Sequence, residues 1–137
     1  MRRVLIYGAG EAGAMVLDEI DKHPEEKIGV FGFIDDDPAK AGTRVRGVKV
    51  LGGKQTLLGW IRNLDINEVI IAMPSIGVRT IRDVVKVCKS EKVKLLIVPS
   101  TREIIEGTVR FDQIKSLDLA DLLDREEVKI DRERIRS

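Results

Sequence analysis

The sequence predicts an α/β fold: a small, doubly wound and mainly parallel sheet of four or five strands in a single domain. Two observations predict it. Short apolar segments run almost without interruption, which is typical of strands buried on both faces of a parallel sheet. Between them lie stretches whose apolar residues recur at i, i+3, i+4 and i+7, which is one face of a helix.

Composition is that of one globular domain. The chain has 137 residues, 43% hydrophobic and 34% charged, and only 4% aromatic, so we expect Val, Ile and Leu to fill the core. Its 24 basic and 23 acidic residues give a net charge of +1. A chain with so balanced a charge gives no sign of the basic surface by which proteins bind nucleic acid or anionic lipid.

Cysteine and histidine are scarce. Cys88 is the single cysteine, so no internal disulfide can form and a reducing, cytoplasmic location is expected. With His23 as the single histidine, a zinc site is not expected. No apolar run approaches the roughly 18 residues of a membrane span, and the start of the chain does not resemble a signal peptide.

Three strands and two helices are predicted in the first half of the chain. Residues 3–7 form a buried strand, followed by a helix over 10–22. A second strand covers 28–34 and stops at three aspartates and a proline; a small strand covers 48–51, and a helix covers 54–64. The inward faces of the two helices are Gly13, Val16, Leu17 and Ile20, then Leu57, Trp60, Ile61 and Leu64.

The pattern then repeats. A buried strand starts at Val69 and ends at Ala72 or Met73, a helix covers 81–91, and a strand covers 94–98. The inward face of this third helix is Ile81, Val84, Val85 and Cys88.

The last part of the chain is mixed. "VRFDQI" fits a strand or a loop, and "LDLADLLD" fits a short helix. We therefore place one nucleotide-binding domain at 1–123 and a charged linker at 124–137.

A glycine turn joins the first strand to the first helix. Gly8, Gly10 and Gly13 form G-x-G-x-x-G in the strand–turn–helix context of a Rossmann-like fold. Gly8 permits the tight turn, Gly10 leaves room for a pyrophosphate near the backbone, and Gly13 lets the helix pack closely on the sheet. The helix N-terminus attracts an anion.

The whole loop is a candidate cofactor site. Its predicted contact residues are Gly8, Ala9, Gly10, Glu11, Ala12 and Gly13. Glu11 opposes an anion unless its carboxylate points outward. The same glycines would also suit a tight strand–turn–helix unit that binds nothing, so an empty crevice stays an alternative.

An acidic residue at the end of the second strand completes the fingerprint. Asp35 lies 22 positions after Gly13, where its carboxylate could accept hydrogen bonds from a ribose diol. Asp36 is a second candidate, and with Asp37 the three carboxylates should repel a 2′-phosphate. This favours NAD or another unphosphorylated ribose over NADP. A plain strand-ending turn is the alternative.

The strand that starts at Val69 ends at the same crevice. Met73, Pro74 and Ser75 should flank it, because ligands of open α/β sheets lie beyond the carboxyl ends of the strands. Ser75 could donate to a phosphate or ribose, or it could cap the next helix. Ser100 and Thr101 are expected to be helix caps.

No catalytic set is evident. His23 lies beside a proline at a helix end, Cys88 lies on an apolar helix face, and Tyr7 is expected to pack in the first strand. No catalytic residue is therefore assigned, and the chain is not expected to be an enzyme on its own.

Taken together, "RRVLIYGAGEAGAMVLDEI", "VFGFIDDDPAKAGTRVRGVKVLGG", "INEVIIAMPS" and "VKLLIVPSTREIIEGTV" resemble the first, CoA-binding-type Rossmann-like domain of CapD-type polysaccharide biosynthesis proteins. These are bacterial nucleoside-diphosphate-sugar dehydratases and epimerases. The resemblance implies a parent protein with a separate catalytic domain, a lyase such as a UDP-N-acetylglucosamine 4,6-dehydratase or an epimerase, often preceded by membrane helices. It carries over the glycines and Asp35 as nucleotide-site candidates.

A second resemblance leaves an alternative open. "GFIDDDPAKAGTRVRGVKVLG" is also similar to the UDP-sugar-binding N-terminal domain of sugar acyltransferases. That family typically has a His in the glycine loop, where this chain has Glu11 or Ala12. CoA-binding and redox-sensing Rossmann domains are more distant relatives.

Three functions follow for comparison. The first is a non-catalytic module that binds NAD or a nucleotide-sugar beside a catalytic domain. The second is an NAD-dependent oxidoreductase acting as a dimer with a shared site, and the third is an empty structural domain that mediates oligomerisation. A homo-oligomer is compatible with all three, but no residue specifies one.

Overall fold

The computed structural model describes residues 1–73, 76–98 and 115–117. The strands are β1 Arg2–Tyr7, β2 Ile28–Ile34, β3 Arg44–Val45, β4 Val48–Gly52, β5 Glu68–Ile71, β6 Lys94–Ile97 and β7 Lys115–Leu117. The helices are α1 Glu11–Asp21, α2 Leu57–Asn63 and α3 Val78–Ser90. Short 3₁₀ turns cover Pro24–Glu26, Pro38–Lys40 and Lys54–Thr56.

The seven strands of the described residues form one sheet in the order β3-β4-β2-β1-β5-β6-β7. The five central strands are parallel to one another. The two outer strands, β3 and β7, are antiparallel to their neighbours. The predicted doubly wound, mainly parallel α/β fold is confirmed, and its five predicted strands are the five parallel ones.

Two apolar layers cover the sheet, one on each face. The layer under α1 contains Val4 and Ile6 of β1, and the layer under α2 and α3 contains Leu5 and Tyr7. Side chains of a strand alternate between faces, so a continuous apolar run serves both layers. This alternation within β1 is why the strand reads as unbroken in the sequence.

The helices bury the faces that their periodicity predicts. In α1 the buried residues include Gly13, Val16, Leu17 and Ile20. In α2 they are Leu57 and Ile61, and in α3 they are Val84, Val85 and Cys88. Trp60, Leu64 and Ile81 are partly buried against the same core.

Some element boundaries differ from the predicted ones. The helix predicted over 54–64 begins as a 3₁₀ turn, and α2 starts at Leu57. The third helix starts at Val78, three residues before its apolar pattern, because Gly77 has the extended backbone of an N-cap. Strand β3 is two residues long, too short for a periodic signal.

The last part of the chain is described only over β7. The segment 109–114 and the domain boundary at 123 lie outside the described residues, as does the charged linker. The helix predicted at 117–124 also lies outside them, except that Leu117 ends β7. Within the described residues no helix is long and apolar enough to cross a membrane.

The parallel strands give the sheet two distinct edges. We call the edge where these strands begin the amino edge, and the edge where they end the carboxyl edge. The glycine turn after β1, the three aspartates after β2 and the N-terminus of α3 after β5 all lie at the carboxyl edge.

Candidate functional site

The glycine turn has the strained and close-packed geometry that its glycines permit. Gly8 has φ +117°, and its N–H donates to the carbonyl of Ile34 at 2.7 Å. A Cβ there would lie 2.6 Å from the carbonyl oxygen of Ala72. A Cβ on Gly13 would overlap the carbonyl oxygen of Gly8 and lie 3.2 Å from the Phe33 ring. The predicted roles of both glycines in the turn and the helix packing are confirmed.

Gly10 differs from these two glycines because it is not needed for packing. It is the N-cap of α1, with an extended backbone and no side-chain cap. An added Cβ would meet a single group within 4 Å, the ammonium nitrogen of Lys40 at 3.7 Å. The space above Gly10 is thus bordered by the start of a helix and by a cation, both of which attract anions.

Lys40 was not among the residues predicted from the sequence. It ends the 3₁₀ turn Pro38–Lys40, and its side chain is 39% exposed. The turn after the aspartates returns the chain toward the glycine loop, so that the ammonium lies 3.7 Å from Asp35. A basic residue shortly after the acidic end of β2 is the signal that could have identified it.

Asp35 holds the glycine loop in place. Its side chain is 5% exposed, and one carboxylate oxygen accepts the N–H of Ala9 at 2.8 Å. The other accepts the N–H of Asp37 at 2.9 Å. Because each oxygen already serves a backbone amide in a buried position, the carboxylate connects the end of β2 to the loop. Its contact with a ribose stays a prediction.

Asp36 lies in a different environment. It is exposed, and it accepts the hydroxyl of Tyr7 at 2.6 Å and the N–H of Lys54 at 2.8 Å. Tyr7 is fully buried. Burial, and then the bond to Asp36, raise the pKa of the Tyr7 hydroxyl far above its usual value, so it stays a proton donor. Tyr7 packs as predicted and, in addition, positions Asp36.

A side-chain bond of Lys54 extends this cluster to α3, and we call Tyr7, Asp36, Lys54 and Asp83 together the polar wall. The ammonium of Lys54 donates to a carboxylate oxygen of Asp83 at 2.7 Å, which holds the pKa of Asp83 below its usual range. The turn after β4 and the first half of α3 are thereby connected at the carboxyl edge. Asp36 lies where this wall meets the end of β2.

The other predicted residues are distributed as follows. Ala9 and Ala12 are buried in the layer under α1, so they would offer a ligand only backbone groups. Glu11 is exposed in the first turn of α1. Met73 is partly buried against the core under α2 and α3. Pro74 and Ser75 lie outside the described residues, as do Ser100 and Thr101.

Two residues of types that often act as catalytic groups have other roles. Cys88 is fully buried in the core, and burial raises its pKa to about 12, so its thiol is an unreactive packing group as predicted. His23 lies just after α1 and contacts Glu19 and Glu25 at the opposite, amino edge. Neither residue faces the glycine turn.

The site therefore combines two kinds of binding group. The glycine turn offers helix N–H groups and the ammonium of Lys40, which suit phosphate oxygens. The polar wall offers the carboxylate of Asp36, which suits hydroxyl or N–H donors. Within the described residues no group of three His, Cys, Asp or Glu side chains could hold a metal ion.

Comparison with known proteins gives related sequences over nearly the whole chain. The probable polysaccharide biosynthesis protein EpsC of Bacillus subtilis (strain 168) is 34% identical over 129 residues, which cover 94% of this chain and 22% of that protein. The capsular polysaccharide biosynthesis protein CapD of Staphylococcus aureus is 26% identical over 131 residues, 95% of this chain and 22% of that protein. The chain thus spans about a fifth of the length of these curated relatives.

Solved structures share the fold. The UDP-D-quinovosamine 4-dehydrogenase from Vibrio fischeri matches with a TM-score of 0.72 and 27% identity, over 89% of this chain and 98% of that chain. The Rex-family repressor RSP in complex with β-NADH matches with a TM-score of 0.58 and 19% identity, over 98% of this chain and 62% of that chain. The second likeness shows the fold alone.

A family model described as a CoA-binding domain matches residues 1–99. This match covers β1 through β6 and the helices α1, α2 and α3, and it includes the glycine turn, the aspartates and Lys40. With the two polysaccharide biosynthesis relatives, it confirms the resemblance read from the sequence. The chain belongs to the CoA-binding domain family, in the Rossmann-like form found in CapD-type polysaccharide biosynthesis proteins.

Proposed function

We propose that this chain is a non-catalytic module that binds NAD or a nucleotide-sugar, within a larger bacterial nucleoside-diphosphate-sugar dehydratase or epimerase. The observation that carries the proposal is the space above Gly10. It is open to the extent that an added Cβ would meet only the Lys40 ammonium at 3.7 Å. A phosphate there would meet the positive end of α1 and a lysine at once.

The charges around this space are compatible with a bound phosphate. Lys40 is 3.7 Å from the buried Asp35, so part of its charge is already balanced. A ligand phosphate would approach the ammonium from the exposed side and leave the bond between Asp35 and the Ala9 amide intact. Glu11, exposed in the first turn of α1, is free to point into solvent.

The parent activity is inferred from the relatives. EpsC and CapD are polysaccharide biosynthesis proteins by name, and the Vibrio fischeri protein is a UDP-sugar dehydrogenase. We therefore favour a nucleotide-sugar or NAD as the ligand, a separate catalytic domain as the partner, and a cytoplasmic location for the module. The parent reaction would be 4,6-dehydration, a lyase reaction, or epimerisation of a UDP-sugar such as UDP-N-acetylglucosamine.

Calorimetric titration tests the proposal directly. NAD, NADP, UDP-N-acetylglucosamine and CoA are titrated into the purified chain at up to millimolar concentration. Binding of NAD or UDP-N-acetylglucosamine is expected. If none of the four binds, the module is not a nucleotide site, and the structural, oligomerising alternative gains. Binding of CoA alone would replace the proposed ligand class.

Gly10→Ala identifies the location of the site. The methyl group would meet no backbone atom within 4 Å, and the extended backbone of Gly10 accepts alanine, so the fold should persist. The same methyl would occupy the phosphate position, and affinity should fall about tenfold or more. Gly59→Ala is the matched control, because Gly59 is an exposed helix residue with nothing within 4 Å of its added Cβ. Equal ligand affinities of the two variants would show that the phosphates do not bind above Gly10.

A further inference from the structure

Asp35 and Asp36 are adjacent in the chain but have different surroundings. Asp35 contacts the glycine turn after β1, on the side of α1, through the amide of Ala9. Asp36 contacts Tyr7, whose side chain lies in the layer under α2 and α3. Successive side chains at the end of a strand point to opposite faces of the sheet, so the two carboxylates contact different groups.

The carboxylate of Asp35 is too buried for a ligand to reach its remaining lone pairs without displacing one of its present partners. It is 5% exposed, with one oxygen on the Ala9 amide and the other on the Asp37 amide. A ribose hydroxyl that took over the first of these bonds would leave a buried backbone N–H of the glycine turn without a partner. Such a loss costs about 1–3 kcal/mol.

The carboxylate of Asp36 is fixed and still has capacity. Each of its oxygens accepts one bond, from the Tyr7 hydroxyl at 2.6 Å and from the Lys54 amide at 2.8 Å. An ionised carboxylate can accept about four hydrogen bonds. Because Asp36 is exposed while both of its donors are held by the fold, the remaining lone pairs face solvent in a defined orientation.

We propose that Asp36, and not Asp35, accepts the ribose hydroxyl groups of the bound nucleotide, and that Tyr7 is its positioning residue. This rests on the proposed function, since it assigns the ribose end of the same ligand. The phosphates lie at Gly10 and Lys40, and the diol donates to Asp36. The ligand class is a ribonucleotide with a free diol, because a 2′-phosphate carries no proton to donate and is repelled by the carboxylate.

The test compares ribose with deoxyribose probes. ADP and UDP, each with its 2′-deoxy counterpart, are titrated into wild type, Asp36→Asn, Tyr7→Phe and Asp35→Asn, with the folding of each variant checked by urea unfolding. Wild type should prefer the ribose form about tenfold, the loss of one hydrogen bond to a charged group. In Asp36→Asn the preference should fall to near unity, and in Tyr7→Phe it should fall by about threefold.

Asp35→Asn is the matched control. It loosens the glycine turn and should weaken both members of a probe pair equally, leaving the ribose preference unchanged. A merely structural role of Tyr7 would likewise leave that ratio unchanged while lowering stability. An undiminished preference in Asp36→Asn, or its loss in Asp35→Asn, would overturn the inference and leave the proposed function standing.

Failure of this inference can be distinguished from failure of the proposed function. ADP and UDP contain every group that the inference invokes, so failure of both to bind wild type overturns it even if NAD or UDP-N-acetylglucosamine binds. Failure of NAD and UDP-N-acetylglucosamine in the earlier titration overturns the proposed function itself.

Discussion

The amino and carboxyl edges of the sheet contain similar charged residues and use them differently. At the amino edge, the guanidinium of Arg2 donates to both carboxylate oxygens of Glu68, at 2.6 and 2.9 Å. Arg3 donates to the carbonyl of Leu64 at 2.7 Å and lies 4.2 Å over the ring of Phe31. These charged side chains serve each other and the chain itself.

At the carboxyl edge the carboxylates accept mainly backbone N–H groups. Asp35 accepts from Ala9, and Asp36 accepts from Lys54 as well as from Tyr7. Asp36 stays exposed, and the Lys40 ammonium is near Asp35 without a short bond to it, at 3.7 Å. The carboxyl edge is therefore the better candidate for a binding site, because the fold fixes its charged groups and leaves part of their hydrogen-bonding capacity unused.

The largest effect is expected from a change that breaks the carboxyl edge. Gly13→Ala would place a methyl group on the carbonyl of Gly8 and against Phe33, so the glycine turn must move. We expect the free energy of unfolding to fall by about 3 kcal/mol in urea denaturation. Gly59→Ala, in open space on α2, should instead gain up to about 1 kcal/mol from helix propensity. Equal stabilities would show that α1 does not approach the turn closely.

A smaller loss of stability is expected when the ion pair between Arg2 and Glu68 at the amino edge is broken. Glu68 has a side chain that is 8% exposed, and its partner Arg2 is 33% exposed. Glu68→Gln should lower the free energy of unfolding by about 1–3 kcal/mol, because the pair is partly shielded from solvent. Glu91→Gln is the control, since its partner Arg62 is 64% exposed and the pair is largely screened. If Glu91→Gln lost as much stability as Glu68→Gln, burial would not explain the strength of the Arg2–Glu68 pair.

The smallest effect concerns pH and again the amino edge. Hydrogen bonds to Glu25, and then Glu19, raise the pKa of His23 above 6.5. Its contribution to stability is fully present below the unfolded pKa of about 6.5 and is lost as pH rises through the folded value. The free energy of unfolding should therefore decline slightly as pH rises from about 6.5 through the folded pKa of His23.

Two measurements check the His23 prediction. Proton NMR titration should give a folded pKa above 6.5, and 1 M salt should reduce the shift because the site is exposed. His23→Gln should remove the slight decline in stability. If the stability of His23→Gln declined with pH as that of wild type does, other groups would cause the pH dependence.

Much of the fold could be predicted from local patterns. The range 28–34 predicted for the second strand is that of β2, and the predicted strand starting at 94 is β6, which ends one residue earlier, at Ile97. Apolar runs report burial on two faces, and glycine reports where a backbone must bend or approach another. Gly8 and Gly13 could be assigned for that reason, because their requirement is steric and acts over a few residues.

The edge strands and the helix starts were less predictable. Strand β3 contains Arg44 and Val45 only, and β7 pairs with β6 after a long separation in the chain. Neither has a periodic pattern of its own, because each is defined by its partner. The 3₁₀ start of the second helix likewise depends on local geometry around Lys54, not on the spacing of apolar residues.

The sequence by itself determined the double winding, the burial of each helix face and the presence of carboxylates after β2. Only the tertiary structure decided which carboxylate serves which partner. Parallel pairing of β1 with β2 brings Tyr7 beside Ile34, so that Ala9 meets Asp35 and Tyr7 meets Asp36 across 26 and 29 positions of the chain. Periodicity reports whether a residue is buried, whereas partners this far apart are set by strand register, which no local pattern contains.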